Sequence, residues 1–174
     1  MIIIQIVGYK NSGKTTLITE WIPLLKGLGY RIATLKHHGH GGEPDVIAEV
    51  DSIQHFRAGG ATMSAVIGEE TVQMQADLNH LTIDRMISFY QSLGVDLLFV
   101  EGYKQYPLPK IVLSKDSTEL DELLKLTNVQ AYLCTNPLRE IKDSFGFDDK
   151  STLFEYCQHN LANFTVKELP KWIR

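Results

Sequence analysis

The chain has 174 residues, of which 44% are hydrophobic, and a formal net charge of −4. This size fits one globular domain with its own core, while the acidic balance and the absence of a Lys/Arg run argue against nucleic-acid binding. No apolar segment is long enough for a membrane span, and the apolar start lacks the features of a signal peptide, so we expect a cytoplasmic protein. Cys134 and Cys157 lack metal-ligand spacing and are expected to be buried thiols.

The first predicted element is a β-branched strand over residues 2–7, which leads directly into Gly8-Tyr9-Lys10-Asn11-Ser12-Gly13-Lys14-Thr15. This is the G-x-x-x-x-G-K-[ST] pattern of a phosphate-binding loop, in which backbone N–H groups surround the phosphates. The lysine adds a positive charge, and the Thr15 hydroxyl is placed for Mg²⁺. We therefore expect the nucleotide to contact Gly8, Asn11, Ser12, Gly13, Lys14 and Thr15.

Strands and helices alternate along the rest of the chain. Helices are predicted over residues 15–28, with Pro23 inside, and over 51–58, 81–93 and 151–161, and another from Thr118 with a capping box to Asp121. Strands are predicted over 30–36, 96–101, 111–113 and 129–134. This order predicts an α/β fold with a mostly parallel sheet of the phosphate-loop NTPase type. We expect a single domain over 1–174 with an added β-hairpin at about 62–76.

The strand over residues 96–101 is apolar until it reaches Glu101. Phosphate-loop proteins hold Mg²⁺ between the loop Ser/Thr and a carboxylate at the end of a neighbouring apolar strand. Glu101 and Thr15 are therefore candidate metal ligands, and Glu101 is also a candidate catalytic residue. Asp96 is expected to mark only the start of the strand.

Acidic residues also follow the second predicted strand, where ligands of open α/β sheets collect. Asp45, Glu49 and Asp51 are candidates to hold Mg²⁺ through water or to orient an attacking water. Asp51 is the favoured member, as a metal ligand and catalytic residue. The alternative is that Asp51 only caps the helix that it precedes.

The end of the second predicted strand and the glycine-rich loop after it also carry basic side chains. Lys36 is a candidate phosphate contact at the strand end. His37, His38 and His40 are possible ligands of nickel or zinc, although histidines in such a glycine-rich loop are more often solvated or face phosphate.

Two β-rich runs, residues 62–67 and 71–75, predict a hairpin with one buried face. A two-stranded ribbon is marginal alone and leaves an unpaired edge. We expect it to form a homodimer interface through Met63, Ala65, Val72 and Met74. The alternative is that the hairpin extends its own sheet.

Several segments together resemble the molybdopterin-guanine dinucleotide biosynthesis adaptor protein B family. They are the phosphate loop, Thr34-Leu35-Lys36-His37-His38, Asp51-Ser52, Phe56-Arg57-Ala58-Gly59-Gly60-Ala61 and Asp96-Leu97-Leu98-Phe99-Val100-Glu101-Gly102-Tyr103-Lys104. The resemblance implies a dimeric GTP-binding protein with weak GTPase activity that assists the guanylyltransferase attaching GMP to molybdopterin. It also implies that Gly13, Lys14, Thr15 and Thr16 lie at the phosphate site and that Asp51 and Glu101 lie near Mg²⁺.

Two features depart from related GTPases. No Asn-Lys-x-Asp guanine-reading motif occurs, because Thr135-Asn136-Pro137 follows the strand that ends at Cys134. Tyr9 stands where deviant phosphate loops carry a lysine that acts across a dimer.

Two other function classes remain open at this point. The histidine-rich loop suits a nickel-delivering GTPase. A small-molecule kinase is less favoured, because its lid usually carries arginines, and the five here are scattered along the chain: Arg31, Arg57, Arg85, Arg139 and Arg174.

Overall fold

The computed structural model describes residues 1–38, 60–137 and 140–167. The chain separates into two compact units, one formed by residues 1–39 and 90–174 and the other by residues 40–89. The hairpin region at about 62–76 lies within the second unit. The single-domain organisation over 1–174 stays a prediction.

The first unit contains a six-stranded sheet in which every neighbouring pair of strands is parallel. Its strands are β1 Ile2–Gly8, β2 Ile32–Lys36, β5 Leu97–Glu101, β6 Lys110–Ser114, β7 Val129–Cys134 and β8 Ser144–Gly146. The strand order is β2-β5-β1-β6-β7-β8. This sheet confirms the predicted parallel α/β fold, to which β8 is an additional, unpredicted edge strand.

Four helices and a short 3₁₀ segment are described. The helices are α1 Lys14–Gly27, α2 Ile83–Ser92, α3 Ser117–Leu123 and α4 Lys150–His159, and the 3₁₀ segment is Leu161–Phe164. α1 continues through Pro23. α3 begins one residue earlier than predicted, because Asp116 rather than Thr118 is its cap and accepts a hydrogen bond from the Thr118 N–H at 2.9 Å. The helix predicted over 51–58 lies outside the described residues.

Apolar side chains on both faces of the sheet form the core of the first unit. On one face, Leu17 and Trp21 of α1 join Ile4 and Ile6 of β1 in the main cluster. On the opposite face, Val7 packs in a smaller cluster with Val112 and Leu123. The strand β5 is buried along its whole length, as its continuous apolar run predicts for a central strand.

The second unit contains the predicted hairpin, formed by β3 Met63–Ile67 and β4 Val72–Ala76. Its antiparallel register pairs Met63 with Ala76, Ala65 with Met74 and Ile67 with Val72, which places these six apolar side chains on one face, while Val66 lies on the other. Ile67 is 79% exposed and Val72 is 62% exposed. Among the described residues of the single chain this face is open, and its burial against a second copy stays a prediction.

No helix among the described residues is both long and apolar enough to cross a membrane.

Candidate functional site

The loop that joins β1 to α1 has the close backbone packing of a phosphate loop. A Cβ atom on Gly8 would clash with the Leu113 carbonyl oxygen and lie 2.6 Å from the Ser12 Oγ, so only glycine fits there. At the other end, Gly13 has φ +97° and precedes the first helical residue, Lys14. The N–H groups of the first turn of a helix have no partner within the helix. An anion in the loop can therefore accept hydrogen bonds from them.

The Lys14 side chain folds back over this loop. Its Nζ donates a hydrogen bond of 2.6 Å to the Tyr9 carbonyl oxygen and one of 3.5 Å to the Ser12 Oγ. Burial lowers the pKa of Lys14, and the negative charge of Glu101 opposes this effect. The ammonium is thus partly desolvated and held at the mouth of the loop, where a phosphate can replace the Tyr9 carbonyl as its partner.

Three polar side chains meet at the carboxyl ends of neighbouring strands. Glu101 ends β5 and is paired in register with Lys36 at the end of β2. The Thr15 hydroxyl lies 3.0 and 2.9 Å from the two carboxylate oxygens of Glu101. The Lys36 Nζ lies 3.3 Å from both the Thr15 Oγ1 and a Glu101 oxygen. The structure therefore brings together Thr15 and Glu101, which sequence analysis had paired, and Lys36, which it had selected separately.

The remaining predicted residues fall into three groups. Asn11, with φ +63°, is exposed in the loop, Thr16 is exposed in the first turn of α1, and Ser12 is buried beneath the loop. Asp96 lies at the opposite end of β5, where it forms an ion pair with Arg31 at 3.1 Å. The candidates that follow β2 in the chain lie outside the described residues: His40, Asp45, Glu49 and Asp51.

Of the three histidines in the glycine-rich loop, the structure describes His37 and His38. The ring of His37 lies against that of Tyr103, with centroids 4.4 Å apart, and the His37 N–H donates to the Glu101 carbonyl oxygen at 2.9 Å. Both histidines are exposed. In the part of the chain that the structure describes, no group of three His, Cys, Asp or Glu side chains is arranged to hold a metal ion.

Sequence reasoning missed two residues that border the loop. The Lys104 ammonium lies 3.3 Å from the centroid of the Tyr9 ring. The Phe147 ring, which follows β8, lies 3.9 Å from the position of a Cβ on Gly13. Lys104 stands three residues after Glu101, but no local pattern links it to Tyr9, which is 95 residues away in the chain. Only the order of the strands reveals these contacts.

Comparisons with known proteins agree on one family. The family model for molybdopterin guanine dinucleotide synthesis protein B (MobB) matches residues 3–135. A probable molybdopterin-guanine dinucleotide biosynthesis adapter protein of Bacillus subtilis is 39% identical over 131 residues, which cover 75% of each chain. The adapter protein of Haemophilus influenzae is 32% identical over 125 residues, 69% of this chain and 70% of that protein.

Solved structures give the same result. The crystal structure of Bacillus subtilis MobB has a TM-score of 0.75 and 31% identity, over 96% of this chain and all of that chain. The MobB homologue from Bacillus stearothermophilus has a TM-score of 0.72 and 29% identity, over 93% of this chain and 99% of that chain. This chain therefore belongs to the molybdopterin guanine dinucleotide synthesis protein B family, which serves molybdenum cofactor biosynthesis.

Proposed function

We propose that this protein binds GTP with Mg²⁺ and acts as the adaptor to a guanylyltransferase in molybdopterin guanine dinucleotide biosynthesis. The observation that carries the nucleotide proposal is the phosphate loop itself, with Lys14 held on the Tyr9 carbonyl oxygen at 2.6 Å. Lys14 and the N–H groups of the loop would bind the β- and γ-phosphates. Asn11, Ser12 and Thr16 complete the proposed phosphate site.

The donor set at the strand ends fits magnesium. Thr15 and Glu101 present only oxygen atoms, which are the ligands that Mg²⁺ prefers. The Lys36 ammonium, 3.3 Å from an oxygen of each, acts as a stand-in cation between them. Bound Mg²⁺ would neutralise charge on the β- and γ-phosphates, while Lys36 would turn to a phosphate. Asp51 remains a proposed second metal ligand and catalytic residue.

The choice of GTP follows from the names of the relatives, which contain guanine dinucleotide. Hydrolysis is expected to be slow. Arginine fingers accelerate related GTPases by roughly 10³–10⁵, whereas Arg31 is held by Asp96 at the opposite end of the sheet. The protein is at most a slow Mg²⁺-dependent GTPase.

Titration of the purified protein with GTP and with ATP, each with and without Mg²⁺, tests this assignment. We expect GTP to be preferred and Lys14→Ala to abolish useful affinity for it, because a charge-assisted hydrogen bond is lost. Lys26→Ala is the matched control, since Lys26 lies in the last turn of α1, away from the loop. A preference for ATP, or unchanged GTP binding by Lys14→Ala, would contradict the proposal.

The adaptor role follows from the relatives, which are named as adapter proteins. This protein would associate in the cytoplasm with the guanylyltransferase that attaches GMP to molybdopterin. Co-purification of the two full-length proteins, and dinucleotide formation by the transferase with and without this protein, test the role. An adaptor raises the yield, and an adaptor with Lys14→Ala does so less. No association and no change in yield would contradict the role.

A homodimer is the third part of the proposal. The apolar face of the hairpin contains Met63, Ala65, Ile67, Val72, Met74 and Ala76, and Met63 and Met74 are 49% and 39% exposed. A continuous exposed apolar face on a two-stranded ribbon is typical of an interaction site. A two-fold axis would bury the same face of both copies against each other.

Light scattering on paired variants tests the interface. Val72→Lys with Met74→Lys places two charges on the apolar face and should give monomers. Thr71→Lys with Gln73→Lys adds the same charges immediately before β4 and on its other face, and should leave dimers. A dimer that survives the first pair of changes would exclude the hairpin as the interface, and a monomeric wild type would exclude the homodimer.

A further inference from the structure

The Lys104 side chain provides a second ammonium group at the phosphate loop. Its Nζ lies 3.3 Å from the centroid of the Tyr9 ring, while Lys14 donates to the carbonyl oxygen of the same Tyr9. Neither lysine forms an ion pair with a carboxylate among the described residues. Two ammonium groups that form no ion pair among the described residues therefore meet at one loop residue, an arrangement that favours a strongly anionic ligand.

The backbone that carries Lys104 is fixed by a buried side chain beneath it. The Gln5 Nε2 donates to the carbonyl oxygens of Gly102 at 2.8 Å and Tyr103 at 2.7 Å. Gln5 itself is fully buried in β1. Tyr103 adopts φ +52°, an uncommon conformation for a residue with a side chain. The loop after β5 is thus built in a defined shape that positions Lys104.

The position of Lys104 along the chain relates it to one particular phosphate. It follows Glu101 by three residues, and Glu101 contacts Thr15 at the proposed magnesium position. Mg²⁺ held there would neutralise charge on the β- and γ-phosphates, and the Lys104 ammonium over Tyr9 of the same loop would face the terminal phosphate. Glu119 is the carboxylate that favours the charged form of Lys104, whose pKa is lowered by burial.

We propose that Lys104 leaves the Tyr9 ring when nucleoside triphosphate binds and contacts the terminal phosphate, so that the protein distinguishes the triphosphate from the diphosphate. This inference rests on the proposed nucleotide site. The cation–π contact holds the ammonium near the loop before the nucleotide arrives. The stronger, charge-assisted hydrogen bond to phosphate then replaces it.

Equilibrium titrations with GTP and with GDP, both in Mg²⁺, test the proposal in the full-length protein. Lys104→Gln should lower the affinity for GTP about 10- to 100-fold and change that for GDP less than about twofold. Lys104→Arg keeps the charge and should restore most of the difference. Lys26→Gln removes an equal charge at the far end of α1 and should change neither affinity. Tyr9→Leu should raise GTP affinity about two- to fivefold, since the ring no longer competes for the ammonium.

The failures are distinguishable. If the wild type binds neither nucleotide, the proposed function itself is wrong. If the wild type binds both nucleotides and Lys104→Gln weakens them equally, Lys104 does not sense the terminal phosphate. Unchanged GTP affinity in a Lys104→Gln variant that unfolds cooperatively at the wild-type temperature would also overturn the inference. So would a loss of GTP affinity in Tyr9→Leu as large as the loss in Lys104→Gln.

Discussion

The buried lysine of β6 makes the stability of this protein depend on pH in the alkaline range. Lys110 is fully buried, and its Nζ donates to the carbonyl oxygens of Tyr106 at 2.9 Å and Thr127 at 2.7 Å. Burial lowers the pKa of Lys110 from its ordinary value of 10.5 to about 8. Between these two values the unfolded chain binds more protons than the folded chain, so the free energy of unfolding rises with pH. At 1.36 kcal/mol per pKa unit, this residue contributes an increase of roughly 3 kcal/mol across the window.

Urea unfolding of the wild type and Lys110→Met, followed by circular dichroism from pH 7 to pH 11, measures this contribution. Other titrating groups cancel in the difference between the two proteins. The unfolding free energy of the wild type minus that of the variant should rise by about 3 kcal/mol between pH 8 and pH 10.5. Lys26→Met, which changes an exposed lysine, should show no such rise. A difference that does not vary with pH for Lys110→Met would refute the reasoning.

Three further predictions concern local structure. Gly8→Ala should reduce nucleotide affinity at least about 100-fold by titration, because its Cβ would clash with the Leu113 carbonyl oxygen; wild-type affinity would contradict this. Asp116→Ala should lower the thermal midpoint by about 2–4 °C, since the cap of α3 is lost, and Asp116→Asn should restore it. Burial raises the pKa of Cys157 to about 12 and also raises that of Cys134. Both thiols should therefore react with a disulfide reagent at pH 8 only after urea is added, and rapid labelling of the folded protein would count against their burial.

Sequence patterns predicted most of the sheet because their physical causes are local. The apolar run that ends at Glu101 indicated a strand buried on both faces, and β5 is buried throughout. The strand β8 has only three residues, too few to show the alternating hydrophobic pattern of a strand, so it was not predicted. For α3, both Asp116 and Thr118 are favourable caps, and only the hydrogen bond to the Thr118 N–H shows that Asp116 has this role.

The candidate site divides in the same way. Gly8, Gly13, Lys14 and Thr15 were found from one contiguous motif. Glu101 was found from its place at the end of an apolar strand. Lys104 was not found, because its partner Tyr9 lies in the loop after β1 and the contact depends on β1 and β5 being neighbours in the sheet. Alternation also identified the apolar face of the hairpin but does not say what covers it, so its burial against a second copy stays a prediction.

The most direct test of the proposed Mg²⁺–GTP site is the gain in GTP affinity on adding Mg²⁺. Isothermal titration of the wild type, Thr15→Ala, Glu101→Gln and the double variant measures it. Because Thr15 and Glu101 contact each other at 2.9 Å, each single change should remove most of the gain, and the double variant should lose little more. Affinity without Mg²⁺ should be nearly equal in all four proteins. A gain that persists undiminished in both single variants would show that these residues do not hold the metal and would contradict the assignment of this site.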